Sequence, residues 1–265
     1  MEIKIFTVDA FTSKPFAGNP AAVFILEHEL TEQQMKNIAF EMNLSETAYV
    51  LKEGDNYNLR WFTPHSEVDL CGHATLASSH ILWEKGLHNK NSTIHFQTRS
   101  GLLKANMVNG KIELDFPIDE AHQIEVPDDL VKTLGAKPIY LGMTKWSYLA
   151  EMDSEETVRN IKPDFDLMET LEAWGLMITA RSSTMEFDFV SRFFAPRKGV
   201  KEDPVTGSAH CALGPYWMKK LNKNEFTAYQ ASKRGGVIGV KIEGERVKLT
   251  GEAVTVLEGK IRIKN

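Results

Sequence analysis

Cysteine is nearly absent: only Cys71 and Cys211 occur in 265 residues, so a disulfide framework does not hold this fold together. No apolar run approaches the roughly 20 residues of a membrane-spanning helix, and the N-terminal MEIKIFTVDAF reads as a strand rather than a signal peptide. Positive charge is not in excess either. With 31 Lys and Arg against 36 Asp and Glu the net charge is -5, which leaves no electrostatic footprint for nucleic acid or an anionic membrane. No G-x-G-x-x-G, Walker A or G-x-S-x-G sequence is present, so nucleotide binding has no support. Low-complexity stretches and Ser/Gly linkers are missing as well. What remains, 42% hydrophobic and 25% charged, is the composition of a globular chain, expected in the cytoplasm and expected to meet a small molecule.

The chain says nearly the same thing twice. RWFTP at 60–64 precedes LCGHATLA at 70–77, and RFFAP at 192–196 precedes VTGSAHCA at 205–212. Arg60 and Arg192 are 132 residues apart, while Gly72 and Gly207, like Ala74 and Ala209, are 135 apart. FQTRSG ending at Gly101 is echoed by YQASKRGG ending at Gly236, and NGKIEL around Gly110 by GERVKL around Gly244. A duplicated unit of about half the chain follows. Its boundary is expected near residue 117, at the start of the loop-like stretch 117–129, giving units 1–116 and 117–257. Two copies facing each other would create a cleft, and a glycine turn from each would meet there.

Strand patterning dominates both halves. Alternating or β-branched runs predict strands at 2–8, 21–26, 47–52, 57–62, 93–97, 101–106 and 111–115, then at 138–141, 146–151, 176–180 and 187–194. Further strands are expected at 226–230, 236–242, 245–249, 252–257 and 260–264. Thr31 with Gln34 forms a capping box ahead of Met35, Ile38, Ala39 and Met42, and 154–160 and 164–173 read as short surface helices. The segments after Gly72 and Gly207 are apolar or small nearly all the way round, the pattern of an enclosed helix; Pro215 should kink the second. The expected fold is therefore α+β: two repeated units, each a curved, mostly antiparallel sheet or barrel wrapped around one central helix.

Chemistry is expected at the mouths of those helices. If Gly72 and Gly207 open helices, free N–H groups of the first turns and the positive ends of the helix dipoles form anion sites for a carboxylate or a developing enolate. The bland alternative is glycine used only for tight packing. Cys71 lies where a thiol pKa is lowered, but its counterpart is Thr206, whose hydroxyl is far too weak an acid for a symmetric two-thiol racemase. Glu46, in NLSETAYV at a strand end, is then the candidate acid/base, weighed against a solvated loop carboxylate. His73 at the first mouth and Asp203 before the second could pair so that an aspartate holds the imidazole cationic, against a core histidine and a capping aspartate as the plain readings. Ser208, the counterpart of His73, is either a donor to substrate or an ordinary first-turn residue. A metal centre is disfavoured, because neither CGH at 71–73 nor HC at 210–211 has an established zinc spacing.

At these residues the sequence resembles the phenazine biosynthesis PhzF-like family, related in fold to diaminopimelate epimerase and proline racemase. VDAFTSKPFAGNPAAV, NLSETAYV, RWFTPHSEVDLCGHAT and EDPVTGSAHCALGPYW carry the resemblance from end to end. It implies Glu46 as general acid/base, His73, Asp203 and Ser208 as catalytic partners, and Asn19, Cys71, Gly72, Thr206 and Gly207 as substrate-binding positions. It further implies a cofactor-independent, metal-free isomerase of a small carboxylic acid, a homodimer, and a last strand near 258–265 that crosses back to the first unit. Cys71 also occupies the position of a catalytic thiol in the epimerase relatives. An epimerase, racemase or dehydratase using Cys71, and a small-acid binding protein without turnover, are the competing expectations.

Overall fold

A computed structural model describes residues 1–263; Lys264 and Asn265, the end of the expected last strand, lie outside the described residues. The chain divides into two compact units, Met1–Asp115 with the segment from Thr250, and Phe116–Leu249. In chain order the elements are β1 (Glu2–Ala10), β2 (Asn19–Leu26), α1 (Glu32–Met42), β3 (Glu46–Glu53), β4 (Asn56–Phe62), β5 (Glu67–Val68), α2 (Gly72–Glu84), β6 (Ile94–Thr98), β7 (Gly101–Val108) and β8 (Lys111–Pro117). There follow β9 (His122–Gln123), α3 (Asp128–Leu134), β10 (Tyr140–Met143), β11 (Ser147–Glu151), α4 (Glu155–Asn160), α5 (Phe165–Glu169), β12 (Gly175–Arg181), β13 (Phe189–Ala195) and β14 (Val200–Asp203). The chain ends with α6 (Gly207–Leu221), β15 (Glu225–Gln230), β16 (Gly236–Glu243), β17 (Arg246–Gly251) and β18 (Ala253–Arg262).

Pairing in the two units follows one scheme. In the first, β1 is antiparallel to β18 and β2, β2 is parallel to β3, and β3 is antiparallel to β4. Strand β4 is antiparallel to β5 and parallel to β6, which is antiparallel to β7. In the second, β10 is antiparallel to β9 and β11, β11 is parallel to β12, and β12 is antiparallel to β13. Strand β13 is antiparallel to β14 and parallel to β15, which is antiparallel to β16. Each parallel step needs a crossover, and helices supply it: α1 and α2 in the first unit, α4 with α5 and then α6 in the second. The α+β expectation and the duplication are both met.

The central helices are buried nearly all round, as their sequences require. In α2 every residue from His73 to Ser79 is buried, together with Ile81, Leu82 and Trp83. Three hydroxyls would be costly there, and each is returned to the helix's own backbone: Thr75 donates to the Cys71 carbonyl, Ser78 to Ala74 and Ser79 to Thr75. In α6, Gly214 lies so close to the sheet that a Cβ would approach Ile242 and Val240 side-chain carbons to 2.8 Å. Pro215 supplies no N–H to the Cys211 carbonyl, and the Asp119 N–H takes that acceptor at 3.2 Å. Both units also repeat a half-buried fork. Arg60 grips Glu67 with two bonds of 2.7 Å and lies over Phe62, while Arg192 grips Glu202 at 2.7 and 3.1 Å and lies over Phe194.

Three local differences from the sequence patterning have physical causes. The stretch 117–129 contains β9 and the start of α3, a helix too short to build an apolar period; Pro127 starts it and Gly135, in the left-handed region, stops it. The strand expected at 252–257 and the described part of the one expected at 260–264 are one strand, β18, because its register with β1 continues from Ala10↔Ala253 to Glu2↔Arg262 past one irregularity at Thr7/Val8. The helix expected at 164–173 closes after Glu169, its N-terminus capped by Asp164.

One buried carboxylate orders a loop of the second unit. Burial raises the pKa of Glu155, but the Ser183 N–H, Arg159 and the hydroxyls of Ser183 and Ser182 outweigh that and bring it to about 2. A depressed folded pKa adds stability above the unfolded value of about 4.3, and that stability is lost as pH falls toward 2. Glu155→Gln should therefore flatten the fall in unfolding free energy between about pH 5 and pH 2, by at most ~3 kcal/mol, measured by urea titration.

Candidate active site

In the first unit the candidate groups converge on the mouth of α2. The loop before β2 is set by Gly18, at φ +63°, where a Cβ would lie 2.1 Å from the Ala10 carbonyl oxygen. The Asp9 carboxylate accepts the Phe16 N–H at 2.7 Å and holds the same loop from the other side. Together they deliver Asn19, fully buried, as the first residue of β2. Ser45 places its hydroxyl 3.5 Å from Asn19 Oδ1, and the next residue, Glu46, opens β3 in register with Ala21.

Cys71 is the extended N-cap of α2, and its side chain makes no capping hydrogen bond to the first turn. Its Sγ lies 3.5 Å from His73 Nδ1, and His73 Nε2 lies 3.4 Å from Glu46 Oε2. One donor atom from each of Glu46, Cys71 and His73 falls within 4.8 Å of the others. The 3.4 Å approach is close, but Nε2 is not directed well enough at the carboxylate to form a hydrogen bond. Burial drives the His73 pKa down to about 3, so the ring is neutral at pH 7. This corrects the expectation of a cationic imidazole: with the side chain 5% exposed, desolvation of the charge decides its state. The Glu46 side chain keeps 19% exposure and is the accessible member of the trio.

In the second unit the equivalent mouth is held by hydroxyl and amide groups. Thr206 is the N-cap of α6, again with no side-chain cap, and its hydroxyl donates to Asp203 Oδ2 at 2.5 Å. Gln230 is fully buried and clamps the turn: its Oε1 accepts the Thr206 N–H at 2.8 Å, and its Nε2 donates to the Asp203 carbonyl at 2.7 Å and to Thr206 Oγ1 at 3.1 Å. Gly207 is buried in the first turn, and Ser208 beside it is exposed. His210 points away, donating Nδ1–H to the Thr206 carbonyl at 2.8 Å, and Cys211 lies against the Gly207 carbonyl. Burial pushes the Cys211 thiol up to about 12.

Each unit thus gathers its own share of the sequence candidates: Asn19, Glu46, Cys71, Gly72 and His73 in the first, Asp203, Thr206, Gly207 and Ser208 in the second. Gln230 escaped the sequence reading, and the repeat offers no signal for it. Its counterpart in FQTRSG is Gln97, which is exposed, so the duplication alone gives no reason to bury this glutamine.

The family profile described as phenazine biosynthesis-like protein matches residues 8–259. The chain belongs to this family. A protein named uncharacterized isomerase from Halalkalibacterium halodurans is 52% identical over 262 residues, covering 98% of this chain and 99% of the relative. The human phenazine biosynthesis-like domain-containing protein is 42% identical, over 98% of this chain and 99% of its own. Among solved structures, a PhzF family protein from Enterococcus faecalis is 41% identical with a TM-score of 0.95, covering 99% of this chain and 100% of its own. A hydroxyproline epimerase from Agrobacterium vitis, at 11% identity and a TM-score of 0.64 over 98% of this chain and 92% of its own, shares the fold of this phenazine biosynthesis-like protein. Among the described residues no helix is long and apolar enough to cross a membrane.

Proposed function

We propose that this phenazine biosynthesis-like protein is a cofactor-independent isomerase of a small carboxylic acid, in which Glu46 takes a proton from one carbon and returns it to another. The observation that carries the reading is the approach of Glu46 Oε2 to within 3.4 Å of His73 Nε2 at the uncapped N-terminus of α2. A carboxylate is a competent base, and the helix N–H groups of Gly72 and its neighbours stabilise the enolate charge that proton removal creates. Neutral His73 stands 3.4 Å from the carboxylate, and Asn19, beside Ser45, is assigned to substrate binding. Asp203 and Ser208, with Thr206 and Gly207, are assigned to substrate at the mouth of α6. The isomerase names carried by close relatives support the reaction class.

A second reading, an epimerase or dehydratase using Cys71, is favoured by the 3.5 Å contact between that thiol and His73. Two experiments separate them. In the single-carboxylate mechanism, substrate deuterated at the donor carbon and turned over in ordinary water gives product that retains part of the label, and Cys71→Ala slows turnover by less than about tenfold. Total loss of label together with a loss above about 10²-fold in Cys71→Ala would favour the thiol.

A further inference from the structure

We propose that Glu46, Cys71 and His73 form a binding site for a thiophilic divalent cation, Zn²⁺ above all, whose occupancy shuts off the proton chemistry of the same groups. Thiol sulfur, imidazole nitrogen and carboxylate oxygen are the three zinc donor types, and three protein donors leave the fourth tetrahedral position open. Mg²⁺ and Ca²⁺, which select oxygen donors, do not suit this set.

One donor pair already has the spacing of a bound ion. Tetrahedral bonds of about 2.0–2.3 Å place donors roughly 3.3–3.8 Å apart. Here Glu46 Oε2 and His73 Nε2 are 3.4 Å apart, and all three donors lie within 4.8 Å. An imidazole gives one nitrogen to one ion, so binding through Nε2 requires Sγ, now 3.5 Å from Nδ1, to swing across the ring edge. Cys71 and His73 sit on one rigid helix mouth while Glu46 comes from β3 and is the most exposed of the three, which makes the carboxylate the entry side. On binding, the thiol releases its proton to solvent and becomes thiolate; no oxidant or reductant is involved.

A second observation, the hydrogen bonding of His73, also points to a ligand. His73 Nε2 is buried, lies 3.4 Å from the carboxylate and forms no hydrogen bond, a costly state for a ring nitrogen with no other partner. The duplication supplies an internal control. At the matching positions the second unit carries Thr206 and Ser208, whose hydroxyls are poor zinc ligands, so only the first unit can hold the ion. Spacing alone conceals such a site, because C-x-H is no recognised ligand pair and the third donor is 25 residues away from Cys71.

The test uses the full chain stripped with a chelator and titrated with Zn²⁺ against a chromophoric competitor, then with Co²⁺ as the spectroscopic probe. The proposal expects one Zn²⁺ per chain and a near-ultraviolet thiolate-to-cobalt charge-transfer band. Cys71→Ser should abolish the band and weaken Zn²⁺ at least tenfold, and His73→Gln should weaken it without removing the band. Circular dichroism checks that both variants fold. A cobalt spectrum lacking the band, or Zn²⁺ held as tightly by both variants as by wild type, overturns the proposal. Binding is read without any substrate, so the cation site and the isomerase reading stand or fall separately.

Discussion

Glu46→Gln lowers isomerisation by roughly 10²–10⁴-fold while changing the affinity for the acid by less than about threefold, because the amide keeps the size of the side chain but cannot accept a proton. The loss falls on kcat and not on KM, which separates a proton-transfer role from a binding role. Glu46→Asp, which keeps the carboxylate but withdraws it by one methylene, loses less than Glu46→Gln, up to about 10²-fold, since misplacement near 1 Å is costly at a reacting atom. Steady-state kinetics on all three proteins with one accepted substrate decides this. Near wild-type turnover in Glu46→Gln beside a damaged Glu46→Asp would instead point to the side chain as a spacer.

Gly18→Ala is the second large effect, and it acts on the frame of the site. The residue has φ +63°, and a Cβ there would meet the Ala10 carbonyl oxygen at 2.1 Å and Thr12 Cγ2 at 2.7 Å. The first clash is with backbone of β1 itself, so no rotamer relieves it, and the left-handed conformation adds a cost of its own. The expected loss is more than about 2 kcal/mol in urea unfolding. Because the displaced loop leads into β2, whose Ala21 pairs with Glu46, turnover should fall as well in the fraction that remains folded. Gly244→Ala is the comparison: φ is also positive, at +60°, but nothing lies within 4 Å of the added carbon, so only the conformational cost remains.

The parts of this molecule that repeat were the parts legible in the sequence. Glycine turns, the small-residue helices that follow them, and paired Arg-aromatic motifs recur at nearly constant offset, and the pairing scheme repeats with them. The capping box of α1 was readable for a different reason: Thr31 and Gln34 satisfy each other locally. Where the reading went astray, the deciding energy is long-range. His73 looked like a cation because its neighbours in sequence do not reveal how completely α2 is enclosed, and enclosure sets its charge. Gln230 gave no periodic or spacing signal, since its value lies in three bonds to a turn 24 or more residues earlier. Likewise Glu46 meets Cys71 and His73 only because β3 runs parallel to β2 and starts beside it.

Proton transfer by Glu46 is tested most directly in deuterated water. Small amino, hydroxy and cyclic dienoic acids are incubated with wild type and with Glu46→Gln, and deuterium entering carbon positions is followed by NMR. The account predicts enzyme-dependent incorporation into at least one acid by wild type and none above background by Glu46→Gln, with binding of that acid retained. Incorporation by Glu46→Gln at the wild-type rate would contradict it.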